Sequence, residues 1–193
     1  NTGDGQRMAE EIGAQLDRMD QALVMGTTPV MYEGRLQGQP ALDYFLPHSM
    51  IVNRQGKRFV NEKQMNVGLA FAERDPETGS PLHLPAWRIY DAQFASKYPH
   101  ALPSKNFDGN HFEADTLADL AAQIDVDPPA LEETAKRFSA FAEAGVDEDF
   151  GRGSYAWDRN RGGDPDNKPN PTLGTNQKPP FYAMPFKASF LGT

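Results

Sequence analysis

Prolines and glycines interrupt this sequence so often that only a few parts of it can hold a long helix or strand. The 193 residues include 16 prolines and 17 glycines, which end helices or occupy special turns. They are densest in residues 151–180, which predicts a long loop. Residues 24–48 also lack a clear period, and we expect a winding segment there with at most short extended pieces. The length suffices for one globular domain.

Several segments between these interruptions carry apolar residues at the three- and four-residue spacing of a helix face. The first begins at Asp4, which is a suitable N-cap. Thr116 and Asp119 resemble a capping box at the start of another helix. Gly145 is a typical stop signal. The predicted helices span residues 4–23, 63–74, 92–98, 116–124 and 129–144.

Strand signals are fewer. Residues 49–52 and 57–60 are apolar segments around the turn-forming Asn53–Gly56, and they predict a hairpin. Residues 86–90 and 181–190 predict further strands. Helices and strands that do not alternate regularly indicate an α+β fold, with a small antiparallel sheet and helices packed on it.

Charge and composition exclude several functions. With 19 basic and 27 acidic side chains, the formal net charge is −8, which disfavours nucleic acid as a partner. The chain has no cysteine, so it can form neither a disulfide nor a thiolate nucleophile. That composition fits a cytoplasmic location. No apolar run approaches the roughly 20 residues of a membrane span.

The sequence offers no metal or hydrolase motif. The four histidines, at positions 48, 83, 100 and 111, lack metal-ligand spacing, and we interpret such isolated loop histidines as polar surface residues. Four carboxylates crowd the end of the last predicted helix, and a solvated cluster explains them better than a calcium loop does. They are Glu143, Asp147, Glu148 and Asp149.

Four ordered motifs resemble one protein superfamily. They are TGDG-x-RMA-xxx-GA in residues 2–14, VN-xxG-x-RF-x-NE in 52–62, the run from ADTL to FGRG in 114–153, and PFYA to LGT in 180–193. Together they resemble the fumarate reductase, succinate dehydrogenase and 3-ketosteroid dehydrogenase superfamily of FAD-dependent flavoproteins. The third and fourth motifs are most similar to the steroid dehydrogenase branch.

The resemblance implies that FAD binding and substrate binding are assigned to different domains. In the superfamily, FAD lies in a domain whose N-terminal fingerprint would precede Asn1 and whose last part would follow Thr193. We therefore expect residues 1–25 to lead from an FAD domain, and residues 26–193 to form the substrate-binding cap of the fumarate reductase type. Alone, the chain is expected to bind no FAD and to catalyse no redox reaction.

The resemblance also implies site residues. Asp4 of the TGDG motif would belong to the FAD site, with Gly3 and Gly5 allowing close approach to the cofactor. A plain helix-capping role for Asp4 is compatible with this. Tyr182 and Gly192 in the last motif would contact the substrate.

One position departs from both branches. Four residues after the glutamate of RF-x-NE, fumarate reductases carry a proton-donating arginine and steroid dehydrogenases carry a tyrosine. Here the residue is Asn66, which can orient a carbonyl group but cannot act as acid or base. The histidine of fumarate reductases is also replaced near Leu191. Proton removal then requires another side chain, and the open candidates are Tyr32, Tyr44, Tyr90, Tyr155 and Tyr182.

These features favour the interpretation that this chain is the substrate-binding cap of an FAD-dependent enzyme. Such an enzyme would act on a CH–CH bond beside a carbonyl group. Because the carboxylate-binding arginine is missing, a steroid-like or other apolar carbonyl substrate is favoured over a small dicarboxylate. Two alternatives remain open, a dicarboxylate reductase with a relocated acid and a freestanding binding module without redox chemistry.

Overall fold

The computed structural model describes residues 3–17, 19, 24–41, 43–64, 67–102, 111–160 and 162–190. Its helices are α1 Asp4–Glu11, α2 Ala92–Lys97, α3 Leu117–Gln123, α4 Pro128–Ala144 and α5 Ala156–Asn160, with 3₁₀ helices at Val67–Ala72 and Pro99–Ala101. Its strands are β1 Val24–Tyr32, β2 Arg35–Pro40, β3 Ser49–Asn53, β4 Ala86–Asp91, β5 Phe112–Ala114 and β6 Phe181–Phe190.

The strands form one sheet in the order β2-β1-β6-β4-β3, with β5 also paired to β6. The described pairings are antiparallel, which confirms the predicted α+β class. The first half of β6 pairs with β4 and β5, whereas its second half pairs with β1, where Val24 lies opposite Phe190. This last strand therefore joins the two parts of the sheet.

Two layers cover the sheet. On one face, α3 and α4 pack through buried residues such as Leu120, Leu131 and Phe138 against Ile89. On the other face, the segment after β2 packs with the 3₁₀ helix 67–72 and the buried Phe186 in one cluster, and with α2 in a second cluster. Within the described ranges, no helix is both long and apolar enough to cross a membrane.

The predictions for α3 and α4 are confirmed. The Thr116 hydroxyl accepts a hydrogen bond from the Asp119 amide at 3.0 Å and donates one to the Asp119 carboxylate at 2.6 Å. At the end of α4, Gly145 adopts a φ of 76°, the left-handed conformation that a glycine stop allows. The predicted helix at 92–98 and strands at 86–90 and 181–190 are also present.

The predicted first helix is too long. α1 ends at Glu11, and Gly13 has a φ of 88°, which interrupts the helical path despite the apolar period. Residues 18 and 20–23 lie outside the described part. The N-cap is Gly3 rather than Asp4, and no side chain caps the helix there.

The winding segment predicted for residues 24–48 is wrong for residues 24–40, where β1 and β2 form a regular hairpin, whereas the described residues of 41–48 lack helix and strand as predicted. Its turn consists of Glu33 and Gly34, which both have positive φ values of 50° and 73°, as a type I′ turn requires. Glutamate is an unusual residue there, so the turn lacked a sequence signal.

The hairpin predicted at 49–60 is only partly correct. β3 pairs along its length with β4, whereas residues 57–60 make a single bridge between Val52 and Arg58. The turn itself is present, and the Asn53 carboxamide oxygen accepts from the Gln55 and Lys57 amides. The side chain of Arg58 is buried elsewhere, which draws this arm away from the sheet.

Candidate functional site

A buried network of charges fixes the RF-x-NE segment. The Arg58 guanidinium donates to both oxygens of Glu62 at 3.0 and 2.8 Å, and to both oxygens of Asp147 at 3.1 and 2.9 Å. These side chains expose 3% of their surface or less. The segment at 58–62 is therefore tied to the loop after α4 by bidentate pairs, the strongest kind of ionic hydrogen bond.

Arg152 extends the network under the segment after β2. Its guanidinium donates to the carbonyl oxygens of Phe45, Leu46 and Ser49 at 2.6, 3.0 and 2.8 Å, and it lies 3.2 Å from Glu62. Glu62 also accepts from the Ile51 amide at 3.1 Å. One buried carboxylate thus holds together β3, the RF-x-NE segment and Arg152.

The two carboxylates of the network are ionised at neutral pH. Burial alone would raise the pKa of Glu62, but Arg58 and Arg152 outweigh it and hold the pKa below its usual range. Burial likewise opposes the ionised form of Asp147, and the hydrogen bonds from Arg58 overcome it and lower its pKa. The network is therefore an arrangement of charges and not of neutral acids.

This finding corrects the interpretation of the acidic cluster. Asp147 is buried, and Asp149 accepts two short hydrogen bonds from Arg137 at 2.6 and 2.9 Å. Glu143, Glu148 and Asp149 are exposed as predicted, so the interpretation is wrong for Asp147 alone. Arg58, 89 positions away, accounts for the difference, and local spacing could not reveal it.

The ends of β1 and β6 meet the 3₁₀ helix that follows position 66. Gly68 packs so closely on Val24 that a Cβ atom there would overlap the valine side chain and lie 2.8 Å from its carbonyl oxygen. Val24 in turn lies opposite Phe190, two residues before Gly192. Asn66 and Gly192 are themselves outside the described residues, but their described sequence neighbours converge at this end of the sheet.

Tyr182 lies elsewhere. It is eight residues from Phe190 on β6, which corresponds to about 27 Å of extended strand. Its ring stacks on Tyr90 and His111 at centroid distances of 5.0 and 5.3 Å. Gly192 lies outside the described residues, so the expectation that it and Tyr182 contact the substrate stays a prediction.

The stack includes a hydrogen bond between Tyr90 and His111, whose Oη and Nε2 atoms are 2.6 Å apart. Burial raises the pKa of Tyr90 and lowers that of His111, so this is a hydrogen bond between two neutral side chains at neutral pH. His83 is also partly enclosed, since it stacks on Phe59 at 4.3 Å. The interpretation as a polar surface residue is wrong for His83, which is buried, whereas His111 is exposed.

The other candidate tyrosines occupy different environments. Tyr44 is buried and packs edge-on against Phe186 at 4.9 Å. Burial, reinforced by Glu62, raises its pKa. Tyr155 is 70% exposed, and the side chain of Tyr32 is outside the described part. Tyr44 shares a buried cluster with Val67, the first residue of the 3₁₀ helix 67–72.

The described part of the TGDG segment, residues 3–5, forms the start of α1. Gly3 adopts a left-handed φ of 72°, and a Cβ atom at Gly5 would meet nothing within 4 Å. Asp4 is the first residue of α1, and it is exposed. Backbone N–H groups at a helix start attract negatively charged or electron-rich groups. The contact of Gly3, Asp4 and Gly5 with FAD stays a prediction.

Comparison with known proteins agrees with this geometry. The FAD binding domain family matches residues 1–193. A 3-oxosteroid 1-dehydrogenase of Mycobacterium tuberculosis is 40% identical over 100% of this chain and 36% of its own length. A 4-oxocyclohexanecarboxylate 2-dehydrogenase of Sinomonas cyclohexanicum is 38% identical over 100% of the chain and 35% of its own length.

Among solved structures, a 3-ketosteroid Δ1-dehydrogenase of Sterolibacterium denitrificans, in complex with 1,4-androstadiene-3,17-dione, matches with a TM-score of 0.79 and 34% identity. That match covers 100% of this chain and 36% of the other. A flavocytochrome c3 fumarate reductase shares the fold, with a TM-score of 0.56 and 22% identity over 98% of this chain and 29% of its own. The chain thus spans about a third of the length of these relatives.

The match to the whole chain confirms the superfamily that the four motifs indicated and the cofactor predicted for the full-length protein, FAD. This chain belongs to the FAD binding domain family.

Proposed function

We propose that this chain is the substrate-binding part of an FAD-dependent dehydrogenase that oxidises a CH–CH bond next to a ring ketone. The observation that carries the proposal is the convergence of β1, β6 and the 3₁₀ helix 67–72 beside a segment fixed by buried charges. Such a rigid frame suits a position that must orient a substrate. Residues 26–193 would form the cap, and residues 1–25 would lead to it from the FAD-binding part.

When bound, FAD supplies the hydride acceptor of such a reaction. Gly3, Asp4 and Gly5 would contact it. α1 leaves Met8 and Ile12 exposed by 67% and 86%, which supports a position against another part of the full-length protein. We expect the 193-residue chain alone to purify without yellow cofactor, and stoichiometric flavin in it would contradict this division.

Asn66 would orient the substrate carbonyl group. An amide can donate or accept a hydrogen bond but cannot take a proton near neutral pH. Tyr44 is the candidate on the same side of the sheet, yet its raised pKa keeps the hydroxyl protonated. Tyr44 therefore suits a donor to a ketone oxygen better than a base.

The substrate class is a ring ketone with a largely apolar body. Relatives named for 3-oxosteroids and for 4-oxocyclohexanecarboxylate match the chain over its whole length. Both compounds carry a ketone on a six-membered ring, and they differ in size and charge. A steroid-like substrate is the first choice, because the position that carries a substrate arginine in fumarate reductases is Asn66 here.

The test uses the full-length FAD-loaded enzyme with an artificial electron acceptor. We expect turnover of 4-androstene-3,17-dione, measured by the absorbance of the dienone product. Asn66→Ala should cost about 1–3 kcal/mol in kcat/KM, the scale of one lost polar contact. Asn66→Tyr restores the residue type of the steroid dehydrogenase branch and should retain or gain Δ1-dehydrogenation.

The alternatives give different results. Reduction of fumarate without oxidation of any ring ketone would favour the dicarboxylate reductase. Steroid binding without flavin reduction would favour a binding module. If Asn66→Ala left turnover unchanged and Asn66→Tyr supported no dehydrogenation, position 66 would have no part in the chemistry.

A further inference from the structure

The 3₁₀ helix Val67–Ala72 presents one apolar side chain to the outside. Val67, Gly68 and Phe71 are buried, whereas Leu69 is 54% exposed. In a 3₁₀ helix, residues three apart lie on the same face, so Leu69 shares its exposed face with Ala72.

The orientation of this helix is fixed by its inward side. Gly68 lies against Val24, with no space for a larger side chain. Phe71 packs on Phe59 and Phe186 at centroid distances of 5.4 and 6.0 Å. Leu69 cannot turn inward without displacing these contacts. Its apolar surface is therefore held at the end of the sheet where β1 and β6 converge.

Exposure of an apolar side chain does not by itself identify a substrate contact. Val146 is 59% exposed, but it follows the stop of α4 at Gly145, and its neighbour Asp147 binds Arg58. This valine lies on the opposite, helical layer of the sheet. Leu69 differs because its helix joins the frame that holds the proposed substrate position. The two side chains thus form a matched pair for experiment.

We propose that Leu69 is a specificity-determining residue that packs against the apolar ring body of the substrate. This inference rests on the proposed function. A leucine has no polar group and gains from contact with carbon atoms that leave water. A fused-ring ketone offers a broad apolar surface beyond its carbonyl group, whereas a single ring bearing a carboxylate offers little. Leu69 would therefore favour the larger substrate.

The experiment compares three variants of the full-length, FAD-loaded enzyme. With 4-androstene-3,17-dione, Leu69→Ser should lower kcat/KM roughly tenfold, the lower end of the effect of lost apolar contact in a pocket. The change should appear in KM, with kcat nearly constant. Leu69→Met, which conserves volume and polarity, should stay within about threefold of the parent enzyme. Val146→Ser should leave both constants unchanged.

A second substrate separates size recognition from general damage. With 4-oxocyclohexanecarboxylate, the loss caused by Leu69→Ser should be at most about a third of that with the steroid, since a single ring covers less of the side chain. Equal losses with both substrates would overturn the inference, because they would reflect a disturbed active site.

Three further outcomes also count against it. If the parent enzyme oxidises the steroid and Leu69→Ser leaves KM unchanged, the inference fails and the proposed function stands. A lower melting temperature with an unchanged KM would place Leu69 against another part of the polypeptide and also overturn the inference. If the parent enzyme oxidises 4-oxocyclohexanecarboxylate but neither binds nor oxidises the steroid, the inference fails alone, whereas oxidation of neither ring ketone would also contradict the proposed function.

Discussion

The helices α1 and α4 have similar sequence patterns but opposite surroundings. α4 places apolar residues three and four positions apart along its length, and a similar spacing starts at Met8 in α1 and continues at Ile12, directly after that helix. In α4, this stripe is buried, including Leu131, Ala135 and Phe138. In α1, no residue is buried, and Met8 lies in the open. Periodicity therefore shows that a helix has an apolar face, but not which surface covers that face.

The difference follows from the partners available. α4 packs against α3 and one face of the sheet, so its apolar face removes surface from water within this chain. α1 precedes the first strand, and among the described contacts it finds no such surface. An apolar stripe that stays exposed commonly marks an interface, which agrees with the proposal that α1 contacts the FAD-binding part.

The contrast between buried and exposed groups predicts that the largest loss of stability follows a mutation in the buried charge network. Arg58→Ala leaves Glu62 and Asp147 buried without their main counter-charge. Loss of one partner from such a network destabilises by about 3–5 kcal/mol, measurable by urea denaturation of this chain. Arg137→Ala, which breaks an exposed pair with Asp149, should cost only about 0–1 kcal/mol. Equal effects would show that burial does not distinguish these pairs.

Truncation inside α4 should have the next largest effect. Leu131 is completely buried, so Leu131→Ala removes apolar contacts and leaves a cavity that costs about 2–5 kcal/mol. The free energy of unfolding from a denaturant titration measures it. A loss below about 1 kcal/mol would mean that the packing of α4 is loose and that the contrast with α1 is overstated.

Acid should weaken the attachment of the long loop to α2. Burial opposes ionisation of Asp164, but hydrogen bonds from Lys97 and Tyr98, both 2.6 Å long, lower its pKa to about 2. A carboxylate with a depressed pKa stabilises the fold above its unfolded value of 3.8. This contribution is lost as the pH falls towards 2.

The measurement is a series of thermal melts of the parent chain and Asp164→Asn between pH 5 and pH 2. The parent should lose its advantage over the variant across this range. A constant difference between the two melting temperatures would show that Asp164 does not titrate there.

The smallest effect is expected in α1. Met8→Gln replaces a largely exposed apolar side chain, so the free energy of unfolding of this chain should change by less than about 0.5 kcal/mol. In the full-length enzyme, the same change should weaken FAD retention, measured by flavin release on dilution. A large loss of stability in the 193-residue chain would place Met8 in a local core and remove the contrast with α4.

Local signals made α3 and α4 predictable. Thr116 caps α3 by accepting a hydrogen bond from the amide of Asp119, three positions later. Gly145 ends α4 in the left-handed conformation that glycine adopts easily. These contacts connect residues within a few positions, so their pattern is visible in the sequence. The strand Phe181–Phe190 was likewise predictable from a continuous segment rich in apolar and aromatic residues.

The parts that escaped prediction depend on distant contacts. Asp147 belongs to an acidic run, but its environment is set by Arg58, 89 positions away. The turn at Glu33–Gly34 uses an untypical residue that the paired strands hold in place. For the site, the sequence indicated position 66 by resemblance. The separation of Tyr182 from the other end of β6, however, required the register of the sheet.

The way Arg152 binds the segment after β2 has a consequence for how this protein can change over time. The guanidinium contacts carbonyl oxygens of Phe45, Leu46 and Ser49, groups that every amino acid carries. Mutations at Phe45 or Leu46 leave these acceptors in place. The backbone conformation of this segment therefore depends little on which side chains it carries. Selection can alter the chemistry displayed there while a single arginine preserves the scaffold.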